Sequence, residues 1–245
     1  MYEKGDIDIM SQKIINIGVD NGNSNTKTAS NVFTSGVVSH SEKPPMTKEF
    51  IEFEGVYYTR KTSRAVYRHD KTESIDTFIL TLFGIAMELE DRGITDSHVS
   101  INLAVGLPPG HWLMLQKKFR NYFLSKGKNI TFGYKERYHN IHLNRVDVFP
   151  QGISAILTQA TLVEKYPQIY MIDIGGYTVD YALIQNGQTD FNMCQSLEEG
   201  MIVINNKIIQ EVSSKYSMKI EDSHIEQVLF NKPTVLPEEI KQFIR

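Results

Sequence analysis

Ile14, Ile15, Ile17 and Val19 form a β-rich apolar run that stops at Asp20-Asn21-Gly22, a strong turn signal. The stretch from Thr26 to Val38 predicts a returning extended segment that completes a hairpin. Ser39 to Lys48, with Pro44-Pro45 and few apolar positions, predicts a loop, followed by short strands over Phe50 to Phe53 and Val56 to Thr59. Arg60 to Lys71 is basic and predicted to lie on the surface. From Ser74 to Asp91 apolar residues recur at helical spacing, with Gly93 as the stop, and predict a long, well-buried helix. A strand over Val99 to Val105 closes at Gly106-Leu107-Pro108-Pro109, and Trp112 to Phe123 regains the helical period. In that helix Trp112, Leu115 and Phe119 make a core stripe. Strands are predicted over Ile130 to Tyr134 and Ile141 to Phe149, and Pro150-Gln151-Gly152 opens an apolar helix through Leu162. Tyr170 to Ile174 predicts a buried strand ending in Gly175-Gly176. Two more strands, Val179 to Ile184 and Thr189 to Ser196, flank an Asn186-Gly187 hairpin turn. Gly200 opens a helix from Met201 to Lys215, and two short helical patterns, Asp222 to Leu229 and Pro237 to Ile244, complete the chain. Strands alternating with helices place the fold in the α/β class.

Composition adds limits. With 245 residues, one large or two modest domains are expected, and 41% hydrophobic against 22% charged residues excludes collagen-like or wholly disordered chains. A net charge of -3 leaves no bulk cationic surplus, so no direct nucleic-acid binding is expected. The single cysteine, Cys194, cannot form an intrachain disulfide, and the histidines show no zinc spacing. His139 and His142 read as a wet surface. Met1 to Met10 is acidic and lacks the apolar core of a secretory signal. The longest apolar stretch, Phe78 to Met87, falls far short of the ~20 residues that span a bilayer. A cytoplasmic location with no membrane partner is the resulting expectation.

The informative chemistry is a weak internal repeat. One strand ends Val19-Asp20-Asn21-Gly22, another Ile172-Asp173-Ile174-Gly175-Gly176, and each is followed directly by a further strand. A carboxylate with glycine two residues on lets the backbone turn tightly and bring N–H groups towards an anion. Two such hairpins facing each other would clamp a polyphosphate. The carboxylates repel phosphate, so they make sense only with a divalent cation between them. Mg²⁺, held by one or two carboxylates and phosphate oxygens, suits Asp20 and Asp173. Lys27 lies down the returning strand to neutralise a phosphate, and Asn23, Ser24, Asn25, Tyr177 and Thr178 offer donors. Asp180 has two readings, a place in the cation shell or a cap on the following hairpin. No Walker-type or Gly-x-Gly-x-x-Gly fingerprint occurs, so P-loop and dinucleotide sites lose their support.

Asp20-Asn21-Gly22-Asn23-Ser24-Asn25-Thr26-Lys27 resembles the phosphate-one motif of the actin, heat-shock-chaperone and sugar-kinase superfamily, and Asp173-Ile174-Gly175-Gly176-Tyr177-Thr178-Val179-Asp180 its phosphate-two motif. Between them Val105-Gly106-Leu107-Pro108 and Val148-Phe149-Pro150-Gln151-Gly152 resemble bacterial actin-like ATPases of the plasmid-segregation (ParM/StbA) type. The resemblance implies an α/β, actin-like two-lobed fold with ribonuclease-H-like lobes: lobe I over residues 1–160 and the start of lobe II over residues 161–245. It implies ATP or GTP as ligand, with Asp20 and Asp173 holding Mg²⁺ through water and Gln151 orienting the attacking water. Gly22, Gly175, Gly176 and Gly200 lie near the phosphates in that scheme. It also implies self-association into filaments and an adaptor protein bound to plasmid DNA.

The family's third glycine-rich turn, the adenosine motif, is not reached by Arg245, since no Gly-Gly follows Gly176. The expectation is therefore an incomplete second lobe, from a fragment or a naturally shortened protein. Two alternatives share the hairpin clamp: a non-hydrolysing actin-like subunit that caps filaments or is inert, and a small-molecule kinase. The kinase needs a carboxylate acting on a bound hydroxyl, which no segment clearly supplies. A chaperone-type ATPase would need a peptide-binding domain for which there is no room.

Overall fold

The computed structural model describes residues 14–61 and 68–245. Met1 to Met10 and the Arg64 part of the basic stretch lie outside the described residues. Six short strands come first: β1 (Ile14–Asn21), β2 (Asn25–Lys27), β3 (Val32–Thr34), β4 (Val37–His40), β5 (Phe50–Phe53) and β6 (Val56–Arg60). A 3-10 turn, Lys71–Glu73, leads into α1 (Asp76–Asp91). Next come β7 (His98–Leu107), α2 (Pro109–Leu124), β8 (Asn129–Tyr134) and β9 (Arg137–Pro150). The nine strands form one sheet in the order β3-β2-β1-β7-β9-β8-β5-β6-β4. At its centre β1, β7 and β9 run parallel, and the other pairings are antiparallel.

The single return strand expected from Thr26 to Val38 is instead three. Thr28 N–H bonds to the Asn31 carbonyl at 2.8 Å and Gly36 N–H to Thr34 at 2.9 Å, so two tight turns divide it. β2 and β3 stay beside β1, while β4 crosses to the far edge against β6. Helix α1 is buried from Thr77 through Ala86 because strands β1, β2, β4, β5 and β8 pack on it and Tyr122 and Phe123 of α2 close over Phe78. A helix apolar all round must be enclosed in this way. His139 is buried on the ring of Phe132 rather than on a wet surface, since its strand alternates and turns position 139 inward.

After β9 the chain crosses to a second sheet through α3 (Ile153–Leu157) and α4 (Ala160–Lys165), where the sequence predicted one helix through Leu162. The Thr158 hydroxyl donates back to the Ala155 carbonyl at 2.7 Å and Gln159 leaves helical geometry. A β-branched, self-bonding residue of this kind competes with the helix ladder. β10 (Gln168–Ile174), β11 (Val179–Gln185) and β12 (Gln188–Leu197) then make an antiparallel meander. β10 was expected to be buried, yet only Met171 is; Tyr170, Ile172 and Ile174 stand 68%, 70% and 61% exposed. An apolar run cannot distinguish one covered face from two. α5 (Met201–Tyr216), α6 (Asp222–Leu229) and α7 (Glu238–Ile244) enclose a separate core around Val212, Ile225, Val228 and Ile240. Glu221 and His224 form a capping box that starts α6.

The fold is therefore α/β with two lobes, each built on its own sheet. They meet where α2 reaches β12: the Gly110 N–H donates to Ser196 Oγ at 3.2 Å, and Trp112 stacks on Phe191 with centroids 4.8 Å apart and planes 13° from parallel. Among the described residues no helix is long and apolar enough to cross a membrane.

Candidate functional site

The two glycine turns are structural copies. Asp20 pairs across its hairpin with Lys27, and Asp173 pairs across its own with Asp180, so each strand-end carboxylate faces the residue seven positions later. A Cβ on Gly22 would stand 2.7 Å from the Asn25 carbonyl oxygen, and one on Gly175 would stand 3.0 Å from that of Thr178. The same offset and the same close approach require glycine at both places.

Buried hydroxyls brace the first turn from behind. Asn21 donates to Thr81 Oγ1 of α1 at 2.8 Å, Thr81 donates to the Thr77 carbonyl at 2.8 Å, and Ser35 Oγ donates to the Gly22 carbonyl at 2.6 Å. Helix α5 braces the second: the N–H groups of Gly200, Met201 and Ile202 donate to Tyr177, Gly175 and Gly176 at 2.7, 3.1 and 2.7 Å.

Both turns open on one cavity of about 710 Å³ between the lobes. From the first come Asp20, Gly22, Asn23, Ser24, Asn25 and Lys27. From the second come Asp173, Gly175, Gly176 and Thr178, and Gln151 enters from the crossing segment after β9. The Gln151 amide donates to Asp20 Oδ1. It fits there because residue 106 is glycine; a Cβ would stand 2.7 Å from Gln151 Cγ. Tyr177 and Gly200 are not among the cavity-lining residues but lie behind the second turn, where the first N–H groups of α5 are already used by turn carbonyls. A larger open depression of about 1110 Å³ around Pro44 and Pro45 contains none of this chemistry.

Two further charged residues line the cavity. Asp180, given two readings from the sequence, is one: it occupies the position that Lys27 holds in the first hairpin and belongs to the cavity lining. Its carboxylate is buried, Oδ2 accepts from Thr178 Oγ1 at 3.0 Å, and Oδ1 has no partner among the described residues. Burial and the nearby Asp173 raise its pKa, against hydrogen bonds from Ser196 and Thr178 and the charge of Lys71. Lys71 is the other residue, and it corrects the surface reading of the basic stretch: its side chain turns inward and its ammonium donates to the Asn21 carbonyl. Burial lowers its pKa, while Asp20 and Asp180 raise it. Nothing in the local pattern around Lys71 signals this inward turn.

Among the described residues no three His, Cys, Asp or Glu side chains are close enough to hold a metal directly. Asp20, Asp173 and the orphaned Oδ1 of Asp180 nevertheless make an acidic wall in the cavity. That donor set suits a hydrated divalent cation held through its water shell.

Residues 18–153, more than half of the chain, match the family model described as the N-terminal domain of actin-like proteins. In fold the chain is similar to Ta0583, an archaeal actin homologue, with a TM-score of 0.71 and 18% identity over 94% of this chain and 78% of that one. It is similar to ParM of a 15-stranded filament from Clostridium botulinum, with a TM-score of 0.71 and 16% identity over 95% and 80%. It is also similar to AlfA of the B. subtilis plasmid pLS32 filament, with a TM-score of 0.62 and 13% identity over 84% and 80%. Structures of Ta0583 with ADP and of the AlfA filament with AMPPNP share the fold. No curated protein sequence matches the chain.

Proposed function

The chain belongs to the actin-like protein family, and from that premise we propose that its cavity binds ATP or GTP with Mg²⁺ and that hydrolysis there governs self-association into filaments. The observation that carries this reading is the convergence of two Asp-x-Gly turns, from separate sheets, on one cavity that also receives Gln151. Lobe I is taken as residues 1–160 and lobe II as starting at 161. The N–H groups of the turns around Gly22 and around Gly175 and Gly176 embrace the phosphates, helped by Asn23, Ser24, Asn25, Thr178 and Lys27. Asp20 and Asp173 hold Mg²⁺ through water, and the ion supplies neutralisation of the phosphate charge against the acidic wall. Gln151, bonded to Asp20, orients the attacking water; a neutral amide positions water rather than removing its proton. The γ-phosphoryl group passes directly to water: the water oxygen bonds to phosphorus as the bond from phosphorus to the β–γ bridging oxygen breaks and the nucleoside diphosphate leaves, favoured by positioning and charge neutralisation.

The filament structures of ParM and AlfA support assembly as the output. An adaptor on plasmid DNA and a cytoplasmic location complete the proposal. The test is calorimetric titration of the chain with Mg²⁺·ATP and with AMPPNP. Micromolar binding, about 8 kcal/mol, is expected, and Asp173→Ala should abolish the Mg²⁺-dependent part. Unchanged binding in that variant would remove the site assignment.

A further inference from the structure

We infer that Lys71 is a phosphate-binding residue of the cavity, specific for the terminal phosphate of a nucleoside triphosphate; the inference rests on the nucleotide reading above. Three observations carry it. First, the ammonium lies in the same cavity as both glycine turns although Lys71 belongs to neither; it arrives on the 3-10 turn before α1. Second, its position is fixed from both sides. Asp70 Oδ1 accepts from the backbone N–H and the hydroxyl of Thr72 at 2.9 and 2.7 Å, and Asp70 Oδ2 pairs with Lys118 of α2. Third, its only described hydrogen bond is to the neutral carbonyl of Asn21, at the first glycine turn.

A half-buried ammonium whose described bond is to one neutral carbonyl is under-satisfied, since it has three donors. Burial works in the same direction, while Asp20 and Asp180 favour the charged form. In the ligand-free protein Lys71 thus stands as a counter-charge to the acidic wall. A hydrated divalent cation bound there would take over that role and repel the ammonium, while a phosphate oxygen would draw it through a stronger, charge-assisted bond. The location selects which phosphate. Lys71 binds the carbonyl of Asn21, the neighbour of Asp20 in the chain, and Asp20 accepts from Gln151, so the ammonium lies at the end of the cavity where water is oriented. Only the terminal phosphate reaches that end, and a diphosphate leaves Lys71 on Asn21.

The test titrates the wild-type chain, Lys71→Met and Lys71→Arg with Mg²⁺·AMPPNP and with Mg²⁺·ADP, alongside thermal melts of the ligand-free proteins. A charged hydrogen bond is worth enough that Lys71→Met should weaken AMPPNP binding about 10- to 100-fold. ADP binding should change by less than about threefold, and Lys71→Arg should restore AMPPNP binding to about the same margin. Equal losses for both nucleotides, or no loss for either, would overturn the role of Lys71 while leaving the nucleotide site standing. Wild-type protein that melts cooperatively yet binds neither nucleotide would overturn the nucleotide reading and this inference with it.

Discussion

Gln151 reaches Asp20 through space that a side chain at position 106 would fill. Gly106→Ala therefore acts on Gln151 without touching it chemically, and a displacement of about 1 Å is enough to cost about 100-fold in a positioned reaction. Both Gly106→Ala and Gln151→Ala should slow phosphate release to that order with nucleotide affinity nearly unchanged. A wild-type rate in either would mean that something else orients the water. Glu88 is a second residue whose effect is disproportionate to its size. It is fully buried, Oε1 accepts from Thr28 Oγ1 at 2.6 Å and Ser30 N–H at 2.8 Å, and Oε2 pairs with Arg92 at 2.7 Å. Burial alone would raise its pKa, but the bonds from Thr28, Ser30 and Arg92 overcome it and hold the carboxyl below its ordinary 4.5. A depressed carboxylate stabilises the fold above the ordinary glutamate range, and that stability is lost as the pH falls through the lower native pKa. Glu88→Gln leaves buried donors and Arg92 poorly matched, so denaturant unfolding should show a loss of about 3 kcal/mol. The acid limb of its stability profile should flatten.

Glu88 matters because it ties the turn between β2 and β3 to α1, and α1 in turn holds the first glycine hairpin through Thr81 and Asn21. Gly84 permits that contact: a Cβ there would meet Thr28 Cγ2 at 3.0 Å and Val19 Cγ1 at 3.2 Å. In Gly84→Ala, helix propensity gains about 1 kcal/mol, and overpacking against a buried strand costs about 1–3 kcal/mol. The net expectation is a modest destabilisation, of order 1 kcal/mol, read as a lower denaturant midpoint. Element existence was largely legible in the sequence, because α1, α2, β7 and α6 announce themselves by period and punctuation. The order of the strands was not: β4 and β3 follow each other in the chain yet lie on opposite edges of the sheet, and nothing in a local pattern encodes which partner a short strand chooses. The same division runs through the candidate site. Asp20, Asp173 and the glycines come from hairpins whose turn chemistry is local and readable. Gln151 needed a family resemblance to be singled out. Lys71 is brought in by a tertiary path through Asp70 and Lys118, which only the folded chain displays.

At the scale of the whole molecule, the two sheets have separate cores, and the helical cluster of α5, α6 and α7 adds a third. The lobes are joined by the crossing segment around Gln151 and Gly152 and by the contact of α2 with β12, and their glycine turns come close where a Cβ on Gly176 would stand 2.8 Å from Ser24 Cβ. At the second junction the indole of Trp112 lies on Phe191 of the opposite lobe while its N–H donates to the Val148 carbonyl at 2.8 Å. Trp112 is also the sole tryptophan of the chain. The protein therefore carries one indole fluorophore, which red-edge excitation separates from its 12 tyrosines, and the indole emission reports on the junction without any label. Closure of the lobes on a nucleotide would change the ring overlap, so the intensity or wavelength of emission should shift as Mg²⁺·AMPPNP is added and saturate with the calorimetric binding curve. In Phe191→Leu the signal should shrink while binding persists. A spectrum that stays constant through saturation would describe a junction that holds rigid while the cavity fills, with any relative motion of the lobes confined to the crossing segment.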